Sequence, residues 1–378
     1  MVLSDIETPA AIVDLDRLEA NLDRMARYTT RHGLALRPHV KTHKSVRVAS
    51  AQVRLGAAGL TCATPRELET MSAVATDLLL AYPLLGRGKL SRAMALPADV
   101  RLTVSLDSPE AVMQLADAAA SAGREVGVYV EIDVGMRRVG VTGVDDAIAL
   151  IRQIERCKSL EYRGVAFYPG HIRERIADQE EGLARLRADL TRSLERLESA
   201  GCRPPVVSGG STPTVWRSHE IAGVTEIRPG TYVYNDRGTA EIGACEWEDC
   251  AFTVLATVVS TAVPGQAVID AGSKALGREP LRGVAGEGFG APIDRPDAVV
   301  VRMSEEHGVL DVSGTSWRPR VGEQVRLVPN HVCVVVHLND TMIGVRNDEV
   351  KETWPVDARG RGGAPPAGSL GKAAAKSG

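Results

Sequence analysis

The 378-residue sequence has no basic excess: 45 lysines and arginines stand against 48 aspartates and glutamates, a formal charge of −3. Without a basic face or a domain-scale surplus, no nucleic-acid partner is expected. No window approaches the roughly 18 apolar residues of a membrane span, so no membrane partner is expected either. The opening stretch, "MVLSDIETPAAIVDLDRLEA", lacks the basic region and apolar core of a secretory signal. Six cysteines (Cys62, Cys157, Cys202, Cys245, Cys250 and Cys333) are scattered without a framework spacing. That predicts free thiols and a reducing, cytoplasmic setting. Aromatics are scarce at 4%, while the apolar content is an ordinary 44%. A globular protein with one large and one smaller domain follows from the length. No Gly-x-Gly-x-x-Gly follows the first apolar run, which counts against a dinucleotide-binding fold.

What is present is alternation. From about residue 10 to 235, short apolar runs such as "AAIVDL", "LALRPHV", "DLLLAY", "LTVSL", "VGVYVEID", "YRGVAFY" and "PPVVSGG" alternate with amphipathic stretches such as "DRLEANLDRMARYTTRH" and "IADQEEGLARLRADLTRSLERLESAG". Near-continuous apolar strands between helices indicate parallel β/α units. About eight of them predict a (β/α)8 TIM-type barrel over residues 10–240. After about residue 240 the runs "CAFTVLATVVSTAV", "QAVIDAG", "EQVRLVP", "VCVVVHL" and "TMIGVR" have no long helical stretch between them. They predict a mostly-β C-terminal domain over residues 241–360, with residues 1–9 as candidates to join it. Residues 361–378, rich in Gly, Ala, Ser and Pro, read as a disordered tail or an added expression segment.

Chemistry gathers at the expected strand ends. In "LRPHVKTHKS", period-two alternation puts Arg37, His39 and Lys41 on one face, with Lys41 at the carboxyl end where barrel sites form. A lysine among cations gives up its proton more readily and can form a Schiff base; a solvated basic loop is the plain alternative. "VSGGSTPT" offers backbone amides at Gly209 and Gly210 with Ser211 and Thr212, a phosphate cradle or simply a glycine turn. "EIDVGMRRVGV" supplies Asp133, Arg137 and Arg138, "FYPGH" ends in His171, and "EIRPGTYVY" supplies Arg228. His331 and Cys333 in "VPNHVCVVVHLND" share one face of an expected strand, with His337 too far along it to join them. Imidazole with thiolate suits zinc, and core packing is the alternative.

Together and in order, "RPHVKTHKS", "SGGSTPT", "RPGTYVYND", "DAGSKAL" and "PNHVC" resemble the fold-type III, alanine racemase-like pyridoxal-phosphate enzymes. The likeness runs to the metal-activated branch with D-threonine aldolase, D-serine dehydratase and the 3-hydroxy-D-aspartate lyases. The resemblance implies pyridoxal 5'-phosphate on Lys41, with Arg138 near its phenolic oxygen and Gly210, Ser211 and Thr212 at its phosphate. It implies Arg228 by the pyridine nitrogen, Gly230 beside the cofactor, and a divalent metal (Zn, Mn or Mg) on His331 and Cys333. His-x-Cys matches the dehydratases, whereas the aldolases often carry His-x-Asp. "AFYPGHIRERIADQ" is similar to the aldolases' Tyr-x-Gly-His loop, which implies His171 as the base for the β-hydroxyl proton. The expected activity is therefore D-threonine aldolase, with D-serine or 3-hydroxy-D-aspartate dehydratase second. A non-catalytic pyridoxal-phosphate carrier and a sugar-phosphate barrel are further alternatives. The family also implies a small-molecule D-amino acid substrate and a homodimer with shared active sites. Asp270 and Lys274 receive no role.

Overall fold

The computed structural model describes residues 1–281 and 288–360, so the expected tail at 361–378 lies outside the described residues. Eight parallel strands, Ala35–Leu36, Leu60–Cys62, Asp77–Leu80, Arg101–Leu106, Val126–Glu131, Leu160–Ala166, Val206–Gly209 and Glu226–Ile227, pair side by side, and the last returns to the first. The remaining gap closes where His39 bridges Thr61 and the Thr61 amide donates to the Pro38 carbonyl at 2.9 Å. All six residues of Val126–Glu131 are buried, as a parallel strand covered by helices on its outer face requires.

The covering helices follow their sequence signals. Leu15–His32 starts at Asp14, whose side chain accepts from the Arg17 amide, and stops at Gly33 with φ +64°. Its buried residues Leu15, Leu18, Leu22 and Met25 recur at helical spacing along one stripe. Glu180–Ser199 buries Leu183, Leu186, Leu190 and Leu197 in the same way, and the chain turns away at Gly201.

The barrel interior is ionic where an apolar plug is usual. Arg37 donates to Asp77 and Glu226, each at 2.7 Å, and Glu226 also accepts from the Ser208 hydroxyl at 2.6 Å. Burial works against the Arg37 charge, but Glu226 and Asp77 outweigh it and hold the guanidinium above its usual range. Asp77 is likewise desolvated, yet Arg37 and Arg101 keep its carboxyl below the ordinary carboxylate value.

Three expectations are corrected. The run "AAIVDL" forms strand Ala10–Asp14, but this strand lies outside the barrel. It pairs antiparallel with Phe252–Ser260 and parallel with Thr341–Arg346 in the nine-stranded sheet of the second domain. Ala11, Ile12 and Val13 are buried on both faces, a pattern that suits a central strand of either sheet. The run "VCVVVHL" is a helix, Val332–Leu338, not a strand. Valine favours strands locally, but Val332, Val335 and Val336 occupy one helical face in the second core, and that packing decides. In "LALRPHV" only Ala35–Leu36 is regular strand. Single backbone bonds continue to Val40, whose amide donates to the Thr61 carbonyl, and residues 40–43 then form a turn, so Lys41 sits on that turn rather than on a strand face.

The Lys41 turn is braced from far along the chain. The Val46 amide donates to Asp357 at 2.8 Å, and the Ala358 amide to the Lys44 carbonyl at 2.9 Å. Among the described residues no helix is long and apolar enough to cross a membrane.

Candidate active site

A cavity of about 310 Å³ opens at the carboxyl ends of the barrel strands, where they meet the second domain. Lys41, Arg138, Gly210, Ser211, Thr212, Arg228, Gly230, His331 and Cys333 all line it. Residues spread over nearly three hundred positions thus converge on one space.

The Lys41 ammonium lies 5.8 Å from the centroid of the Tyr168 ring, and the Arg138 guanidinium lies 4.8 Å from the same centroid. Beside them, His39 is pulled well below the usual imidazole range, by burial first and then by the charges of Lys41 and Arg228. Its Nδ1 accepts from the Lys41 amide at 3.4 Å. Lys44, the second lysine of the run, is buried and ion-paired to Glu67. Only Lys41 of the two lines the cavity.

The cradle forms where strand Val206–Gly209 ends. A Cβ on Gly209 would come within 2.1 Å of the Phe167 ring, and Gly210 has φ +90°, so both positions require glycine. The helix Thr212–Glu220 begins immediately after, and no described group accepts the amides of Gly210, Ser211 or Thr212. Ser211 and Thr214 exchange a hydroxyl bond at 3.0 Å, which fixes the rim. A cup of free amides at a helix start suits an anion. Gly230 is equally confined, since a Cβ there would meet Thr42 Oγ1 at 2.9 Å.

Arg228 is buried and aimed by two bonds, to Ser208 Oγ at 2.5 Å and to the Phe167 carbonyl at 2.9 Å. Ser208 in turn donates to Glu226, so the charged network of the barrel interior reaches the cavity floor through Arg228.

His331 caps the helix Val332–Leu338. Asp236 Oδ2 meets His331 Nδ1 at 3.0 Å and also accepts the Val332 amide at 3.1 Å. The other Asp236 oxygen accepts the Thr239 amide at 2.8 Å. Asp236 is 1% exposed and fully bonded, so it fixes the ring and leaves Nε2 for a ligand. Cys333 Sγ lies 3.2 Å from Thr42 Oγ1 and 3.9 Å from Thr231 Oγ1. The charge of Cys333, aided by Asp236 and opposed by burial, raises the His331 pKa. Burial pushes the Cys333 thiol up, but His331 and Lys41 outweigh it and bring it below its ordinary value. Each group favours the charged form of the other, and with a metal in place of the Nε2 proton a neutral imidazole and a thiolate form a donor set that suits a soft divalent metal. Among the described residues no cluster of three or more His, Cys, Asp or Glu forms, so such a metal would have further positions for water or substrate.

His171 does not line the cavity. It stands between Gly170 and Arg173, which do, with its Nε2 3.0 Å from where a Gly135 Cβ would be and its buried Nδ1 without a partner among the described residues. Asp133 accepts the Gly135 and Arg137 amides at 3.1 and 2.9 Å, which gives it a loop-shaping task. Asp270 accepts the Thr257 amide at 2.7 Å, and Lys274 pairs with Glu306 at 2.5 Å; neither lines the cavity. The residues that sequence reasoning missed are Tyr168, Glu131, Arg173 and Asp236. All four stand inside quoted stretches, but only the fold brings Asp236 to a histidine 95 positions away.

Comparison with known proteins agrees with this geometry. The alanine racemase N-terminal domain family matches residues 13–238, and a putative serine dehydratase domain matches residues 251–345. The D-threo-3-hydroxyaspartate dehydratase of Delftia sp. (strain HT23) is 35% identical over 93% of this chain and 97% of its own length. The 3-hydroxy-D-aspartate aldolase of Paracoccus denitrificans (strain Pd 1222) is 32% identical over 95% of this chain and 94% of its own. The crystal structure of D-threonine aldolase from Filomicrobium marinum superposes with a TM-score of 0.87 at 32% identity, covering 95% of this chain and 96% of that one. With its barrel and its second domain both matched, the chain belongs to the alanine racemase-like family, in the branch that holds these aldolases and dehydratases.

Proposed function

We propose that the protein is a pyridoxal-phosphate- and divalent-metal-dependent lyase acting on D-configured β-hydroxy amino acids, of the D-threonine aldolase type. The observation that carries this reading is the convergence of Lys41, the glycine cradle, Arg228 and the His331–Cys333 pair on one cavity. The residues fit the cofactor: Lys41 would hold it covalently, Gly210, Ser211 and Thr212 would take its phosphate, and Arg228 would face its ring nitrogen. Bound there, pyridoxal phosphate supplies an electron sink for charge left at Cα. A divalent metal on His331 and Cys333 would supply Lewis acidity toward the substrate's β-oxygen.

The chain's own groups do the rest. Arg228 cannot give up its proton, so it offers the ring a hydrogen-bond donor and no acid. Asp236 holds the His331 ring in register, and Thr42 and Thr231 hold the thiolate. The Tyr168 ring lies within cation–π reach of both Lys41 and Arg138, which sets the two cations beside one aromatic surface. In the aldolase reading His171 takes the β-hydroxyl proton. Its Nδ1 has no hydrogen bond among the described residues, and it sits between two lining residues. Cleavage then gives glycine and an aldehyde.

Dehydration is the second reading, favoured by one observation: Lys41, the group that would remove the α-proton, lines the cavity, whereas His171 does not. Incubation of the protein with pyridoxal phosphate, a divalent metal and D-threonine separates the two. Glycine with acetaldehyde is the expected product pair; 2-oxobutanoate with ammonia would replace the aldolase reading by the dehydratase one. No product from any β-hydroxy amino acid would leave the carrier reading. The homodimer with shared active sites belongs to the same proposal, supported by the family's fold.

Asp236 provides a test of the metal pair that needs no turnover. Asp236→Ala is expected to weaken zinc binding, titrated calorimetrically, by about 10- to 100-fold. Unchanged affinity would remove His331 from the ligand set.

A further inference from the structure

Four cationic residues, Lys41, Arg138, Arg173 and Arg228, line the cavity, against the two acidic residues Glu131 and Asp236. Both carboxylates are committed. Glu131 is buried and accepts from the Ser105 hydroxyl, and Asp236 is spent on His331, Val332 and Thr239. Among the cations, Arg228 is engaged by Ser208 and Phe167, while Lys41 and Arg138 flank Tyr168. Arg173 is different. The residue is exposed, and its guanidinium bonds no described residue; only its backbone amide is engaged, donating to Glu174 at 3.0 Å.

The loop that carries it is nonetheless fixed, and fixed to one wall. Ile172 is buried, the Ile176 amide donates to the Ile242 carbonyl at 2.9 Å, and Arg175 pairs with Glu241 at 3.5 Å. Gln179 ties the loop's far end to the carbonyls of Glu174 and Pro213 at 3.0 and 3.1 Å. Glu241 and Ile242 close the short helix Arg237–Glu241, whose N-cap is Asp236, the residue that holds His331. Arg173 therefore belongs to the side of the cavity that carries the metal pair. The β-oxygen and the β-substituent share one carbon, so a substrate whose β-oxygen faced His331 and Cys333 would hold its β-substituent next to that side.

We propose that Arg173 is a specificity-determining residue that binds an anionic β-substituent, so that the preferred substrate is a D-β-hydroxy amino acid with a second carboxylate on Cβ rather than a methyl group. The inference rests on the lyase reading of this cavity and is indifferent to which bond breaks. Its chemical basis is the pairing of a guanidinium with a carboxylate by two parallel hydrogen bonds, which a methyl group cannot reproduce. An unpaired guanidinium at the mouth costs little in water, so the gain is realised only when the dianionic substrate arrives.

The test measures kcat/KM for 3-hydroxy-D-aspartate and for D-threonine, with holoenzyme supplied with pyridoxal phosphate and a divalent metal. The unaltered protein is expected to prefer 3-hydroxy-D-aspartate. Arg173→Ala is expected to lower the ratio of the two kcat/KM values by about 10- to 100-fold, the loss of one charge-assisted pair. Arg173→Lys, which keeps the charge but not the fork, should retain an intermediate ratio, expressed chiefly in KM. An equal loss with both substrates would assign Arg173 to the α-carboxylate and overturn the proposal, as would an unchanged ratio. Absence of turnover with either substrate in the unaltered protein would instead sink the lyase reading itself. Arg173 is exposed and its side chain is unbonded among the described residues, so these substitutions leave the fold intact.

Discussion

Lys41→Ala is expected to lower kcat/KM by on the order of 10⁴-fold or more and to remove the lysine-bound chromophore from the purified protein. The magnitude follows from the absence of a substitute. Lys44, three residues on, is the nearest amine in the sequence, but it is 8% exposed and held by Glu67, and its backbone sits at φ +50°. Releasing it would strip Glu67, itself fully buried, of its counter-charge. Borohydride reduction followed by peptide mapping reads the result directly. The label belongs on Lys41 in the unaltered protein and nowhere in the variant. A label that moves to Lys44, or a chromophore that survives the substitution, would refute the assignment.

The second large effect is on stability. Glu226→Ala is expected to destabilise the protein by about 3–5 kcal/mol, because it leaves Arg37 buried with half of its counter-charge. Glu226 is 3% exposed and holds both Arg37 and Ser208. Its removal also frees Ser208, one of the two groups that aim Arg228. A fall in thermal midpoint should therefore be joined by weaker cofactor retention. Glu226→Gln keeps the acceptor oxygen without the charge and should fall between the two. An unchanged midpoint for Glu226→Ala would mean that the interior arginine finds compensation elsewhere.

Much of this site could be read from the sequence because its residues sit at element ends, where local chemistry is strong. Gly210 is required by its positive φ, a local demand, whereas Gly209 lacks room only because the Phe167 ring packs against it. Lys41 was found through its neighbours, although by a wrong route: the regular strand assumed to carry it stops at Leu36, and Lys41 stands on the turn at residues 40–43. What the sequence concealed depends on long-range packing. The helix Val332–Leu338 contains four valines and reads locally as strand, and only the second core turns it into a helix. Strand Ala10–Asp14 has the same texture as a barrel strand and differs only in its partners. The Arg37–Asp77–Glu226 cluster joins three runs whose charges look superficial one at a time.

The brace on the Lys41 turn has a consequence for the order in which the protein becomes competent. The amide of Val46 is capped by a residue 311 positions later, and the Lys44 carbonyl by the next residue after that. On the ribosome, every barrel strand is made before Asp357 and Ala358 exist. A nascent barrel can thus close while its lysine turn still lacks two of its anchors. Early capture of the cofactor would act on an unbraced loop, and the full grip arrives only when the second domain has folded back across it.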